Sequence, residues 1–263
     1  MDSIEFNRDV WDRIARSPKR WFTPVTEEEI TQAREGDFRI RLTGTRCVPP
    51  DWIGDVDGKR VLALAAGGGH QAVLLAAAGA DVTVVDFSEG QLEHDRSLAQ
   101  RYGLALKTCH ADMREMKMLE TQSFDLVVNP CSVNFVPDCK PVWKEAARVM
   151  RDGAALIAGM IQPVNFLFDA VSRDRGKLQV RFRIPYSDLD LPRDEREETL
   201  GPERPIDFGH SLADLIGGQT ASGLMLTDLL EDVWGGDDPL SERIGTFLIT
   251  RSEKHSRPSS SQN

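Results

Sequence analysis

A doubly wound, mostly parallel α/β sheet with an antiparallel last strand is the fold class this sequence predicts, and three observations predict it. The stretch 61–86 reads strand, glycine turn, helix, strand, acidic tip. Strand-like and helix-like segments then alternate through residue 158, the pattern of parallel strands joined by crossover helices. Near the end, runs 224–233 and 244–250 are joined by the short turn Gly235-Gly236-Asp237-Asp238-Pro239, and strands with so short a connection pair antiparallel.

The first run, Val61-Leu62-Ala63-Leu64, is a short apolar strand of the kind buried on both faces of a parallel sheet. Gly67-Gly68-Gly69 breaks it with residues that tolerate positive φ and close backbone approach. Residues 71–78 are small and apolar, a helix able to pack directly on the sheet, and Gly79 ends it. Val82-Thr83-Val84-Val85 is a β-branched second strand, closed by Asp86.

Upstream, Val10, Trp11 and Ile14 give 7–15 a helical spacing, and Trp21-Phe22 stand in a Pro-bounded turn. Thr26-x-x-Glu29 is a capping box that opens a helix over 27–35, ended by Gly36. Both helices precede the first core strand, so they fold over the sheet or its ligand edge. Trp11 and Trp21 serve there either as core packing or as a lid that excludes water.

Downstream, Ser88-x-x-Gln91 caps a helix that ends near Tyr102-Gly103. Residues 105–108 form a third strand leading to Asp112, 113–120 a short helix, and 123–129 a fourth strand. Asp138 caps a helix through Val149, and Arg151-Asp152-Gly153 turns into a fifth strand, 154–158. The alternation Leu178 to Ile184 suggests a strand or hairpin within an insertion, 163–209, and Ser211-x-x-Asp214 restarts a helix that Gly217-Gly218 interrupts or ends. The expected organisation is a helical cap over 1–58, a sheet domain over 59–251 carrying that insertion, and a disordered tail over 252–263.

A net charge of −10 opposes a nucleic-acid partner, because phosphate binding needs a basic face. No run reaches membrane-spanning length, and the first twenty residues have no apolar signal core. Four cysteines, Cys47, Cys109, Cys131 and Cys139, show no C-x-x-C pair and no metal-ligand spacing, so no metal is expected. Scattered thiols suit a reducing cytoplasm.

In open α/β sheets ligands lie beyond the C-terminal strand ends. Gly67 and Gly69, Asp86, Asp112 and Asn129 fall at four successive tips. Gly67-x-Gly69-x-x-Ala72 fits a dinucleotide loop, and an acid at Asp86 is placed for ribose hydroxyls. These residues alone leave nicotinamide and S-adenosylmethionine both open. In order and spacing, however, they resemble the class I S-adenosylmethionine-dependent methyltransferases, particularly the small-molecule group called methyltransferase type 11, over about 59–159. Ser123-Phe124-Asp125-Leu126-Val127-Val128 is similar to that family's fourth-strand motif, and Arg148-Val149-Met150-Arg151-Asp152-Gly153-Ala154 to its helix-to-fifth-strand turn.

The resemblance implies S-adenosyl-L-methionine as cofactor, with Ala65, Gly67 and Gly69 against its methionine part. It places Asp86 on the ribose and Asp112 on the adenine amino group, with Phe87, Gln91, Ala111, Met113 and Asn129 completing the set. Two departures stand out: Ala63 replaces the family's acid before the loop, and Ala65 replaces its first glycine. Gln71 or a main-chain carbonyl is the expected substitute contact to the methionine ammonium. No Tyr-x-x-x-Lys pair supports hydride transfer, since Leu106 and Asp190 stand four residues after the two tyrosines. A nicotinamide-dependent oxidoreductase and a non-catalytic S-adenosylmethionine-binding protein are the alternatives.

An oxygen nucleophile needs a base at methyl transfer, whereas a neutral amine or thiolate needs less help. His210, between the insertion and a capped helix, and Tyr186, within the insertion, are the candidate catalytic residues. His70 is expected beside the cofactor, His110 in a structural role, and His94 and His255 in solvent. Asn129-Pro130-Cys131-Ser132 matches only half of the Asn-Pro-Pro-aromatic motif of amino-directed relatives. The expected acceptor is a small molecule.

Overall fold

The computed structural model describes residues 2–17, 25–169, 172–173, 175–192, 194–196 and 204–255. Strands β1 (Arg60–Leu64), β2 (Asp81–Asp86), β3 (Leu106–His110), β4 (Phe124–Asn129), β5 (Met150–Ile161), β8 (Leu224–Asp232) and β9 (Phe247–Lys254) form one sheet in the order β3-β2-β1-β4-β5-β9-β8. The first five are parallel, and β9 runs antiparallel between β5 and β8. The short strands β6 (Tyr186–Ser187) and β7 (Phe208–Gly209) pair separately, antiparallel, within the insertion. β1 is buried almost throughout, which is why its sequence is a continuous apolar run.

Each face of the sheet has its own apolar core. On one, α2 (Glu27–Arg34), α3 (Pro50–Ile53) and α4 (Gln71–Ala77) bury Ile30, Trp52 and Leu74 against Val61, Ala63 and Val84. On the other, α6 (Lys140–Val149) buries Val142, Trp143 and Ala146 against Leu62, Leu64 and Leu156. Helix α1 (Ser3–Arg16) packs on α5 (Glu89–Tyr102) at the end of the sheet where the parallel strands terminate. Asp2, Thr26 and Ser88 cap α1, α2 and α5, Thr26 through a complete capping box with Glu29.

Five expectations need correction. Residues 113–120 form turns, because Arg148 takes the carbonyls of Met116 and Leu119 (both 2.8 Å) and Glu145 takes the Met116 amide (2.7 Å). Residues 178–184 are not a strand: none is buried, and they pair only locally, through a bridge from Val180 to Phe168 and the Arg181 and Phe182 amides on Leu167 O (2.8 and 3.1 Å). The Arg151-Asp152-Gly153 turn is absorbed into β5 as a register shift, with Gly153 at φ +79°. Gly217-Gly218 does not end its helix; a π-turn, Ala213–Gly217, runs into α7 (Gly218–Ala221). Gly218 is needed for close packing, since a Cβ there would lie 2.7 Å from Trp143 Cδ1. Finally, residues 251–254 belong to β9, which pairs with both β5 and β8. Trp21, Phe22 and residues 256–263 lie outside the described residues.

Candidate active site

A cavity of about 1150 Å³ opens at the C-terminal ends of the parallel strands. Its floor is the loop between β1 and α4. Ala65 occupies φ +47° and donates its amide to Val85 O (2.7 Å). Gly67 donates to Asp86 Oδ2 (3.0 Å), and a Cβ on it would lie 2.9 Å from that oxygen, so no larger residue fits. The amides of Gly68 and Gly69 both reach Asp95, in the middle of α5, at 3.1 Å. Asp86 also accepts the Ser88 amide (2.9 Å). Burial pushes both carboxyls up, Asp86 to about 6 and Asp95 to about 8, against the pull of the loop amides. Helix α1 braces the same corner: Asp12 accepts Ser88 Oγ (2.6 Å) and the Gly90 amide (3.0 Å).

Of the residues expected at the cofactor, Ala65, Gly67, Gln71, Asp86, Phe87, Gln91, Ala111, Asp112 and Met113 line the cavity. Gly69 and Asn129 do not. Gly69 turns toward α5, where a Cβ would strike Leu98 at 2.3 Å. Asn129 is fully buried and donates to Leu64 O (2.8 Å) and Ser132 Oγ (2.9 Å), tying the tips of β1 and β4 together. Asp112 is gripped by Arg114, whose Nε and Nη2 approach to 3.0 and 2.6 Å. Gln71 gives its side-chain amide to Arg41 O (2.7 Å). Ala63 is fully buried in the core and not in the cavity wall.

Among the candidate catalytic residues Tyr186 lines the cavity and His210 does not. His210 is buried, its Nε2 2.9 Å from Val133 O. The Tyr186 hydroxyl donates to Asp188 (2.7 Å), and burial together with that carboxylate pushes the phenol up, away from a basic role. His94, expected in solvent, lines the cavity and holds Ala15 O at 2.7 Å. Cys131 also lines the cavity, and burial raises its thiol, so it stays protonated.

The N-terminal segments bring a charged group that the strand-tip pattern does not reveal. Glu29, on α2, faces the cavity with Arg41 and His70. Burial opposes ionisation of Glu29, yet the Thr26 amide and hydroxyl on its Oε2 (2.7 and 2.9 Å), with His70 and Arg41 nearby, hold it below the usual carboxylate range. His70 is held below its usual value by burial, and its Nδ1 is buried without a hydrogen-bond partner among the described residues. Asp95 was signalled in the sequence only as a charge on the stripe otherwise made by Leu92 and Ala99.

At the far end, Tyr186 stacks on Phe166 (centroids 5.6 Å apart) and tilts against Phe182 (5.1 Å). The Asp207 amide donates to Asp188 Oδ2 (2.7 Å), and Asn134 Nδ2 donates to Asp207 Oδ1 (2.7 Å). Burial, and then the Asp188 charge, pushes Asp207 up to about 6. Trp11 packs edge-on to Phe135 (5.1 Å) in the cavity wall.

The methyltransferase domain family model matches residues 62–158. An uncharacterized methyltransferase of Bacillus subtilis, YbaJ, is 41% identical over 252 residues, covering 95% of this chain and 98% of that protein. The ubiquinone biosynthesis O-methyltransferase of Bordetella avium is 25% identical over 178 residues, 65% of this chain and 69% of its own. A solved S-adenosylmethionine-dependent methyltransferase from Mesorhizobium loti shares the fold, with a TM-score of 0.60 at 15% identity over 78% of this chain and 94% of that one. The relationship to YbaJ runs nearly end to end in both proteins and sets the nicotinamide alternative aside: the chain belongs to the class I S-adenosylmethionine-dependent methyltransferases.

Proposed function

We propose that this methyltransferase moves the methyl group of S-adenosylmethionine to a small-molecule acceptor by in-line displacement. One observation carries the reading: a single cavity joins the glycine loop and Asp86 at one end to the aromatic and acidic groups of the insertion at the other. Its volume of about 1150 Å³ exceeds the roughly 300–1,000 Å³ of ordinary small-ligand pockets, leaving room for a donor and an acceptor together. The bound sulfonium supplies an activated methyl group with a good leaving group. The protein's part is then alignment and exclusion of water.

The residues fit that cofactor from end to end. Asp86 is placed to accept the ribose hydroxyls, and Phe87, Ala111 and Met113 offer apolar walls for the adenine, with Asp112 at its edge. Glu29 and the Gln71 side-chain oxygen suit the ammonium of the amino-acid end. Arg41 and His70, whose Nδ1 has no partner among the described residues, suit its carboxylate. This set, from α2, the loop before α3 and the junction of the glycine loop with α4, compensates for the acid missing at Ala63. The charge of −10 favours a small acceptor over a nucleic acid, and four free cysteines fit a cytoplasmic protein.

Asp86→Ala tests the reading by calorimetry with S-adenosylhomocysteine. Affinity falls at least about tenfold, because hydrogen bonds to a charged group are lost, while the circular dichroism spectrum is unchanged. Unchanged affinity contradicts the placement of the cofactor. Cofactor binding with no methylated product from cell extract would favour the non-catalytic alternative.

A further inference from the structure

The far lobe of the cavity is built from hydrogen-bond acceptors set against flat apolar walls. Asn134, only 4% exposed, spends its amide on Asp207 Oδ1 at 2.7 Å, and its own Oδ1 has no partner among the described residues. Asp207 Oδ2 meets the half-exposed Arg204 guanidinium at 3.5 Å, a long contact. Behind it, both oxygens of Asp188 are engaged, one by the Tyr186 hydroxyl and one by the Asp207 amide, each at 2.7 Å. Asn134 stands in the turn directly after β4, so this group begins at the same sheet edge as the cofactor loop. Phe166, Phe182 and Tyr186 pack on one another and line the same cavity.

A buried acceptor left unpaired costs about 1–3 kcal/mol, so Asn134 Oδ1, beside an Asp207 Oδ2 held only by the long Arg204 contact, favours an occupant that brings a hydrogen-bond donor. The aromatic walls favour a planar ring, which stacks or meets them edge-on. A neutral amine attacks before it sheds a proton, whereas a hydroxyl needs a base as the bond forms. Burial beside Asp188 leaves Asp207 with an affinity for a proton suited to that task near neutral pH, with Arg204 opposing the rise at Asp207 and both Arg204 and Arg196 opposing it at Asp188.

We infer that the lobe takes a planar aromatic acceptor bearing a ring hydroxyl, and that Asp207 is the catalytic base for its methylation. A lone pair of the hydroxyl oxygen forms the new carbon–oxygen bond as the methyl–sulfonium bond breaks, and that bond's electrons stay on sulfur. The hydroxyl proton passes to Asp207 Oδ2, giving the methyl ether, the neutral thioether and a protonated carboxyl. The inference rests on the methyltransferase reading above.

The test uses the full chain saturated with S-adenosylhomocysteine, titrated with 1-naphthol, 1-methoxynaphthalene and 1-naphthylamine. Naphthol is expected to bind at least about tenfold tighter than its ether, which has no donor. With S-adenosylmethionine, naphthol is converted to methoxynaphthalene. Asp207→Asn keeps the affinity for S-adenosylhomocysteine and loses about a hundredfold or more in turnover. Equal binding of naphthol and its ether overturns the inference without recourse to any variant. So does preferred methylation of the amine, an Asp207→Asn rate within a few-fold of wild type, or no naphthol binding by protein that holds S-adenosylhomocysteine. Failure to bind S-adenosylhomocysteine removes the underlying reading instead.

Discussion

Ala65 is held at φ +47°, a region that costs a non-glycine residue roughly 1–2 kcal/mol. A glycine would adopt this conformation without that cost. Ala65→Gly is expected to raise stability by about 0.5–1 kcal/mol in urea unfolding, the gain reduced by glycine's greater freedom in the unfolded chain. An unchanged or lower midpoint would mean that the methyl group packs well enough to offset the strain. Single residues differ in how far the sequence announces them. Gly67 and Asp86 are legible because a turn and an acidic strand tip need particular residue types. Asp95 shows only as a charge on a buried helical stripe, although it anchors two loop amides. Asp188 and Asp207 are not legible at all: 19 residues separate them, and only the β6–β7 pair brings them together.

At the scale of elements, strands β1, β2 and β4 and the closing β8–β9 hairpin can be read from the sequence, because burial on a sheet demands apolar or β-branched runs. The 113–120 segment cannot, since side chains of α6 take its backbone groups in place of helical bonds. The segment before α3 is likewise set by a tertiary partner. Asp232, at the end of β8, accepts Thr43 Oγ1, Thr45 Oγ1 and the amides of Thr45, Arg46 and Val233 at 2.6–3.0 Å. Burial works against its charge, but those bonds prevail and hold it at about 2, below the ordinary 3.8. A depressed carboxyl contributes stability above 3.8 that is lost as pH falls from there through about 2. Asp232→Asn is therefore expected to cost about 1–3 kcal/mol at neutral pH and to flatten the acid limb of the stability curve. An acid limb identical to wild type would show that the charge is not what secures the segment. Helix α2 makes a separate prediction through Glu29. Glu29→Gln weakens S-adenosylhomocysteine binding about tenfold and leaves 5′-methylthioadenosine, which lacks the amino-acid end, unaffected. Equal losses for both ligands would remove Glu29 from the amino-acid end of the site.

Across the whole molecule, function is assembled from three layers of the chain. The parallel strands present the tips proposed to hold the nucleoside, the N-terminal helices supply charge over the glycine loop, and residues 163–209 build the far lobe. Asn7 links two of these layers: it is fully buried, gives its amide to Phe135 O and Ile206 O (both 3.0 Å), and accepts the Ile206 amide (2.7 Å). The N-terminal helix thus fixes the turn after β4 and the end of the insertion in one arrangement around the cavity. Such a cavity has to recognise an adenosyl sulfonium before any acceptor matters. Calorimetric titration of the purified chain with S-adenosylmethionine, S-adenosylhomocysteine and NADH tests this most directly. Saturable one-to-one binding of both adenosyl ligands, with no heat from NADH, is the predicted result. Binding of NADH alone, or of none of the three, would contradict it.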